Sequence, residues 1–123
     1  MAIELKINPL ITGDKFTVCE ILRDGKSDLQ KFFNKLENNI KAETIQLIEY
    51  IAKYGPPRNS TKFRHEKDGI WAIKPKQVRI YCFYDKNNLI ILTNGAIKKS
   101  RKANPEDLEK AIRLKKQWDD RRR

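Results

Sequence analysis

Three apolar runs in the second half of the chain, "IWAIK" from Ile70, "RIYCFY" from Arg79 and "LIILTNG" from Leu89, are joined only by "PKQV" and by the turn "DKNN". Parallel neighbours in a sheet need a connection of about a dozen residues or more to bring the chain back. Links this short leave an antiparallel meander, and the rest of the chain has to be arranged around it. Ahead of the first run, "KFRHEKDG" reads as a short strand and a turn. Leu89 to Leu92 is apolar at every position, which suits a central strand with helices on one side and other cover on the second.

The first half supplies the helices. "KFTVCEIL", from Lys15 to Leu22, is β-rich and closes at "RDGKSD". Ser27 is a candidate N-cap with Gln30 three residues on, the spacing of a capping box. Leu29, Phe32, Phe33, Leu36 and Ile40 then recur at helical spacing and predict one helix over that span. After "ENNIKA" a second helix is predicted from about Ala42 to Tyr54, with Ile45, Ile48, Ile51 and Ala52 apolar and with Gly55, Pro56 and Pro57 ending it. The short link makes the two helices a hairpin.

The two ends read differently. Ile3, Leu5 and Ile7 alternate as in a strand, but Pro9 and "TGD" stop the run, so residues 1–14 are taken as an N-terminal extension. Asn104 caps a third helix, which opens with Pro105 and places Glu106, Asp107 and Glu109 in its first turn. Leu108, Ala111, Ile112 and Trp118 give that helix an apolar face; Lys110, Arg113, Lys115 and Lys116 give it a basic one, and residues 119–123 form a basic tail. The expected order is β-α-α-β-β-β-α, an α+β fold with a helical hairpin on one twisted, mainly antiparallel sheet and a helix at the C-terminus. With 123 residues, 39% of them hydrophobic, the chain has material for one core, hence a single domain over 1–123.

Charge narrows the function. The formal net charge is +11, yet residues 1–60 hold 9 Lys and Arg against 8 Asp and Glu, while residues 61–123 hold 18 against 8. The excess is densest in "NGAIKKSRK", where Lys98, Lys99, Arg101 and Lys102 follow directly on an apolar strand. Like charges this close repel and gain nothing from a core, so an anionic partner is the economical explanation, and nucleic acid the first choice because cations release its condensed counterions. No apolar stretch approaches the ~18 residues that span a bilayer, the start "MAIELKINPL" lacks the features of a secretory signal, and no basic segment has the strongly apolar opposite face of an interfacial helix. A cytoplasmic protein without a membrane partner is expected. Cys19 and Cys82 sit in strand-like runs and read as buried reduced thiols; with one histidine beside them, no zinc motif can be assembled.

The pieces "DGKSDLQKFFNKLE", "IEYIAKYGPP", "FRHEKDGIWAIKPKQVRIYCFY" and "LIILTNGAIKKSRKANPEDLEKAIR" together cover most of residues 16–118. In that order they resemble the RelE/HigB superfamily of type II toxin–antitoxin toxins, most closely its phage-derived HigB-like branch. The resemblance implies a compact microbial RNase fold that enters the 30S A site of the ribosome and cleaves mRNA there without a metal or other cofactor. It also implies a cognate antitoxin, expected to be a helix-turn-helix protein. Two other readings keep the same fold and charge: a non-catalytic basic module of phage type that binds nucleic acid, and a ParE-like poison of DNA gyrase.

Cleavage of RNA by its own ribose requires activation of the 2′-hydroxyl, stabilisation of negative charge on phosphorus and protonation of the leaving 5′-oxygen. Arg79 matches the family's strand arginine, and its planar fork suits two phosphate oxygens at once. Lys74 matches the basic residue on the preceding strand; by strand parity it shares a face with Ile70 and Ala72, a partly apolar setting that favours the neutral amine of a base. Lys76 is a nearby alternative. Lys98 and Lys99 match the family's loop pair, and Arg101 and Lys102 extend it along the phosphate path. His65 lies between Arg64 and Lys67, with Lys62 close by, and neighbouring cations favour a neutral imidazole able to move a proton near pH 7. Against the family pattern, Asn94 stands where many relatives have histidine, and the chain's end offers Trp118 in place of a tyrosine. Tyr81 and Tyr84 are substitutes for that acid or plain sheet residues, and Trp71 is a core residue or a stacking platform.

Overall fold

A computed structural model describes residues 3–97 and 105–121 of the chain. The elements are β1 (Leu5–Thr12), β2 (Thr17–Arg23), α1 (Asp28–Asn34), α2 (Asn38–Tyr54), β3 (Phe63–Lys67), β4 (Ile70–Ile73), β5 (Val78–Asp85), β6 (Leu89–Ile97) and α3 (Pro105–Asp120). All strands join one sheet in the order β1-β2-β6-β5-β4-β3. β3 to β6 form the expected antiparallel meander. β2 returns beside β6 in parallel, the helices and the meander supplying the long connection that this requires. The α+β architecture anticipated from the runs is present, with two differences.

The first is β1. Residues 5–12 are a full strand, antiparallel to β2, rather than an extension. Pro9 does not end it because β1 is the outermost strand, where a missing N–H breaks no ladder, and the register slips between Pro9 and Ile11 to absorb the ring. The second concerns the helices. The predicted helix from Leu29 to Ile40 is two: α1 stops at Asn34, and Lys35 and Leu36 tighten into three-residue-spaced bonds to Phe32 and Phe33. Glu37 is extended, so Ile40 belongs to α2. The Ser27 hydroxyl accepts from Gln30 N at 3.0 Å, as the cap reading required. Gly55 stops α2 at φ 89°, a conformation open to glycine.

Two cores sandwich the sheet. On one face Leu29, Leu36, Ile48, Ile51 and Ala52 of the hairpin region meet Val18, Ile73, Ile80, Cys82, Ile90 and Leu92. On the other, Ala111, Leu114 and Trp118 of α3 meet Ile21, Ile70, Tyr81, Phe83 and Ile91. Alternation along β6 sends Ile90 and Leu92 to the first core and Ile91 to the second, so the run apolar on both faces is a central strand. Both cysteines are buried thiols. α3 runs on through Asp119 and Asp120, and Arg121 lies over the Trp118 ring at 3.7 Å, so this part of the expected tail is ordered on the helix. Among the described residues no helix is long and apolar enough to cross a membrane.

Candidate nucleic-acid interface

Register builds a row of cations across one end of the sheet. Lys74 N donates to Lys62 O at 2.8 Å just beyond β3 and β4. The β4–β5 pairing of Ile73 with Ile80, carried one residue further, sets Lys74 beside Arg79, and Arg79 itself pairs with Ala96 on β6. Lys62, Lys74, Arg79 and Ala96 thus occupy one line, and β6 ends at Ile97, opposite Val78. Lys98, Lys99, Arg101 and Lys102 lie outside the described residues, as does Asn104; the chain enters that segment next to Arg79.

Arg79 is not the exposed clamp that its place at the head of "RIYCFY" suggests. Its side chain is 4% accessible, on the face that α3 covers, with one guanidinium nitrogen 3.7 Å from Glu66 Oε1. Glu66 Oε1, Arg79 Nε and Tyr81 OH are buried without a hydrogen bond of ordinary geometry. Leaving such groups unpaired costs about 1–3 kcal/mol each, so three at one spot call for an explanation, of which a functional role is one. Burial pushes the Tyr81 phenol above its usual value, the neighbouring Arg79 pulls it down, and the charges of Glu66 and Asp107 push it up again; the net shift is upward, and the phenol stays protonated. Glu66 was not singled out from the sequence. Its parity with Arg64 along "FRHEK" was the available signal, obscured by a bulge between His65 and Lys67.

Lys74 is largely buried at 9% exposure, and its ammonium lies 3.4 Å from Ser60 O. Lys62, Arg64, Lys67 and Lys76 are exposed. Arg64 shares the rung of Ala72, and Ala72 that of Tyr81, so it flanks the row; Lys67 pairs with Ile70 at the far end of β3. Lys76 tips the β4–β5 turn with φ 52° and reaches Glu43 of α2 at 3.0 Å.

His65 stands apart from this group. It pairs with Trp71, whose ring packs into the hairpin-side core, and meets that ring edge-on at 5.0 Å. Alternation therefore puts the imidazole on the opposite side of the sheet from Arg79. Trp71 stacks on Phe63 at 5.0 Å and meets Tyr84 at 6.0 Å, a half-buried aromatic cluster on that same side. Burial, then the nearby Cys82, raises the Tyr84 phenol. Trp118 is a core residue whose indole N–H donates to Asp85 at 2.9 Å.

Asn94 has a structural task. The β5–β6 register skips between Ile80 and Cys82, so β6 bulges where Thr93 and Asn94 face Tyr81. Thr93 Oγ1 donates to Asn94 Oδ1 at 2.8 Å, and Asn94 Nδ2 donates to Asp107 O at 3.0 Å. The bulge thereby anchors the first turn of α3 over the Arg79 row. Among the described residues, no cluster of three His, Cys, Asp or Glu side chains is arranged to hold a metal ion.

Fold and site together define a small basic α+β domain in which register sets Lys62, Lys74 and Arg79 on neighbouring strands at one sheet end. Residues 31–116 match the family model described as Phage derived protein Gp49-like (DUF891), and the chain belongs to that family, which is associated with toxin–antitoxin toxins of the RelE/HigB type. No curated protein matches the chain.

Proposed function

We propose that the protein is the toxin of a type II toxin–antitoxin pair, of the HigB-like branch, and that it cleaves mRNA in the ribosomal A site. The reading rests on the line Lys62–Lys74–Arg79 running into the strand end that leads to Lys98 and Lys99. In the reaction a ribose 2′-oxygen attacks the adjoining phosphorus, the bond to the 5′-oxygen breaks, and negative charge peaks on the phosphoryl oxygens in between. Cations fixed in a partly dry surround stabilise that charge more than they would in water, with no reorganisation at the moment of reaction. Arg79 forms the floor of the row, Lys74 lies beside it, and Lys62, Arg64, Lys67, Lys76, Arg101 and Lys102 serve the RNA path. The buried phosphate clamp becomes available once a phosphate displaces Glu66, whose single 3.7 Å approach is a loose hold. His65, across the sheet, takes no part in proton transfer at this row. The resemblance to RelE/HigB toxins supports the ribosome as the setting, the absence of any metal requirement and a helix-turn-helix antitoxin as the silencing partner.

Purified protein added to ribosomes programmed with a defined message tests the reading. Cuts at a fixed position relative to the A-site codon support it, with Arg79→Ala slowing them by about 10²–10³-fold while ribosome binding persists. DNA breaks that depend on gyrase would replace it with the ParE-like reading, and RNA binding without cleavage would replace it with the non-catalytic module.

A further inference from the structure

A second feature adjoins the row. Between α2 and the β4–β5 turn lies a groove of about 540 Å³ whose walls include Gln46, Tyr50, Pro57, Lys62 and Lys76, with Glu43 at one side. Its volume falls within the roughly 300–1,000 Å³ of sites that hold small ligands. Lys62 belongs both to this groove and to the line with Lys74 and Arg79, and the turn carrying Lys76 is the link between Lys74 and Arg79. The groove lies on the α2 side of the sheet and Arg79 on the α3 side, so a strand of nucleic acid seated on the row reaches the groove by passing over the sheet end at the β4–β5 turn.

Tyr50 is 46% exposed although it sits on the sheet-facing helix, presenting a ring at the groove wall. Lys76 is held at φ 52°, a conformation that a residue with a side chain adopts at a cost, and its ammonium reaches toward α2. Glu43 holds that ammonium at 3.0 Å with both side chains well exposed, a contact that an arriving phosphate can exchange at little cost. Gln46 adds an amide able both to donate to and to accept from a base edge. Among the described residues, a cavity of about 460 Å³ between Leu5, Gln117, Asp120 and Arg121 has no aromatic ring on its wall, and one of about 280 Å³ between Leu10, Leu29, Phe33, Ile45 and Ile48 is apolar apart from Gln30 and a Thr44 hydroxyl already bonded to Ile40 O.

We propose that this groove is a nucleotide subsite for single-stranded RNA, in which Tyr50 stacks a base flanking the cleaved linkage and Lys62 and Lys76 take its phosphate. The assignment rests on the RNA-cleaving reading above and names where the neighbouring nucleotide sits. A base on an aromatic ring is sequence-tolerant, since every base has a π-face, so the subsite supplies affinity and register more than base preference.

The test is fluorescence anisotropy with the full chain and two labelled probes: a single-stranded RNA oligonucleotide and an abasic ribose-phosphate oligomer of equal length. Tyr50→Ala should weaken binding of the RNA by about 5- to 100-fold and leave the abasic oligomer unchanged. Tyr50→Trp should keep the wild-type preference for RNA. Thermal unfolding of each variant by circular dichroism confirms that the exposed site tolerates the change. Tyr50→Ala binding RNA as wild type does, or losing the same factor on both probes, overturns the subsite while leaving the cleavage reading intact. Wild-type protein that binds neither probe overturns the subsite, while A-site cuts on programmed ribosomes decide the cleavage reading separately.

Discussion

The guanidinium of Arg79 and the carboxylate of Glu66 stand 3.7 Å apart beneath α3, nearly closed off from water, each keeping a polar atom without a hydrogen bond of ordinary geometry. An ion pair with that geometry does not repay the desolvation of its two charges, so it is poor evidence for stability and better evidence for a site held in readiness. Arg79→Ala leaves the carboxylate buried alone and should cost roughly 2–4 kcal/mol in urea unfolding. The same variant should lower kcat on programmed ribosomes by about 10²–10³-fold, the size of losing one preorganised charge donor. Glu66→Gln separates the two effects. It frees the guanidinium, so RNA affinity should rise while stability changes by less than in Arg79→Ala; an affinity that falls would mean Glu66 itself meets the substrate.

The meander, the capped α1 and the central placement of Leu89–Leu92 were legible because each rests on a local signal: link length, a cap residue, apolar alternation. β1 was not, since Pro9 stops a central strand but is harmless at an edge, and the place of a strand in the sheet is a tertiary fact. The α1–α2 break was hidden because Leu36 and Ile40 keep helical spacing across a non-helical Glu37. At the site, parity groups Lys74 with Ile70 and Ala72, two residues that lie in the α3-side core. It could equally have put His65 on the other face, had that strand been counted from its Trp71 partner; sequence proximity to Arg64 and Lys67 suggested the opposite. The burial of Arg79 depends on α3 crossing that face, and nothing in "VRIYCFY" announces it.

On the proposed RNA-cleaving reading Lys62, the exposed lysine of the row, would meet RNA as a point charge, and this gives a quantitative check. Lys62→Ala should weaken binding to single-stranded RNA uniformly across sequences and reduce the slope of log affinity against log salt by about 1. His65→Ala, on the opposite face, should leave both affinity and slope unchanged. Equal effects of the two substitutions would mean that RNA does not follow the Lys62–Lys74–Arg79 line.

Gly95, inside "NGAIKK", is fixed by contact and not by backbone conformation. A Cβ built there would come within 2.3 Å of the Phe32 ring, because α1 packs directly onto β6 at this point. Gly95→Ala should destabilise by about 1–3 kcal/mol through overpacking. Phe32→Leu should restore part of that loss in the double variant while being mildly destabilising alone, a coupling that a cycle of thermal melts reads directly. Additive losses would mean that the two residues do not touch.

Asp28 opens α1 and ties three elements at the sheet end where the row lies. Arg23 of β2 donates to its carboxylate at 2.9 Å, and Lys110 of α3 stands 3.3 Å away. Burial alone would raise the carboxyl, but the Arg23 hydrogen bond and the charges of Lys110 and Arg23 prevail and hold it below its ordinary value of 3.8. A carboxylate lowered on folding binds its proton more weakly in the native state, so its contribution is fully present above about pH 5 and is lost as the pH falls through 3.8 toward the folded value. Asp28→Asn should therefore cost about 1 kcal/mol at pH 7, most of it from the hydrogen-bonded Arg23 pair because the contacts are partly solvated. At pH 3 the difference from wild type should shrink, and a gap between the two melting curves that stays constant from pH 7 to pH 3 would show that the carboxylate's charge is not what joins α1, β2 and α3.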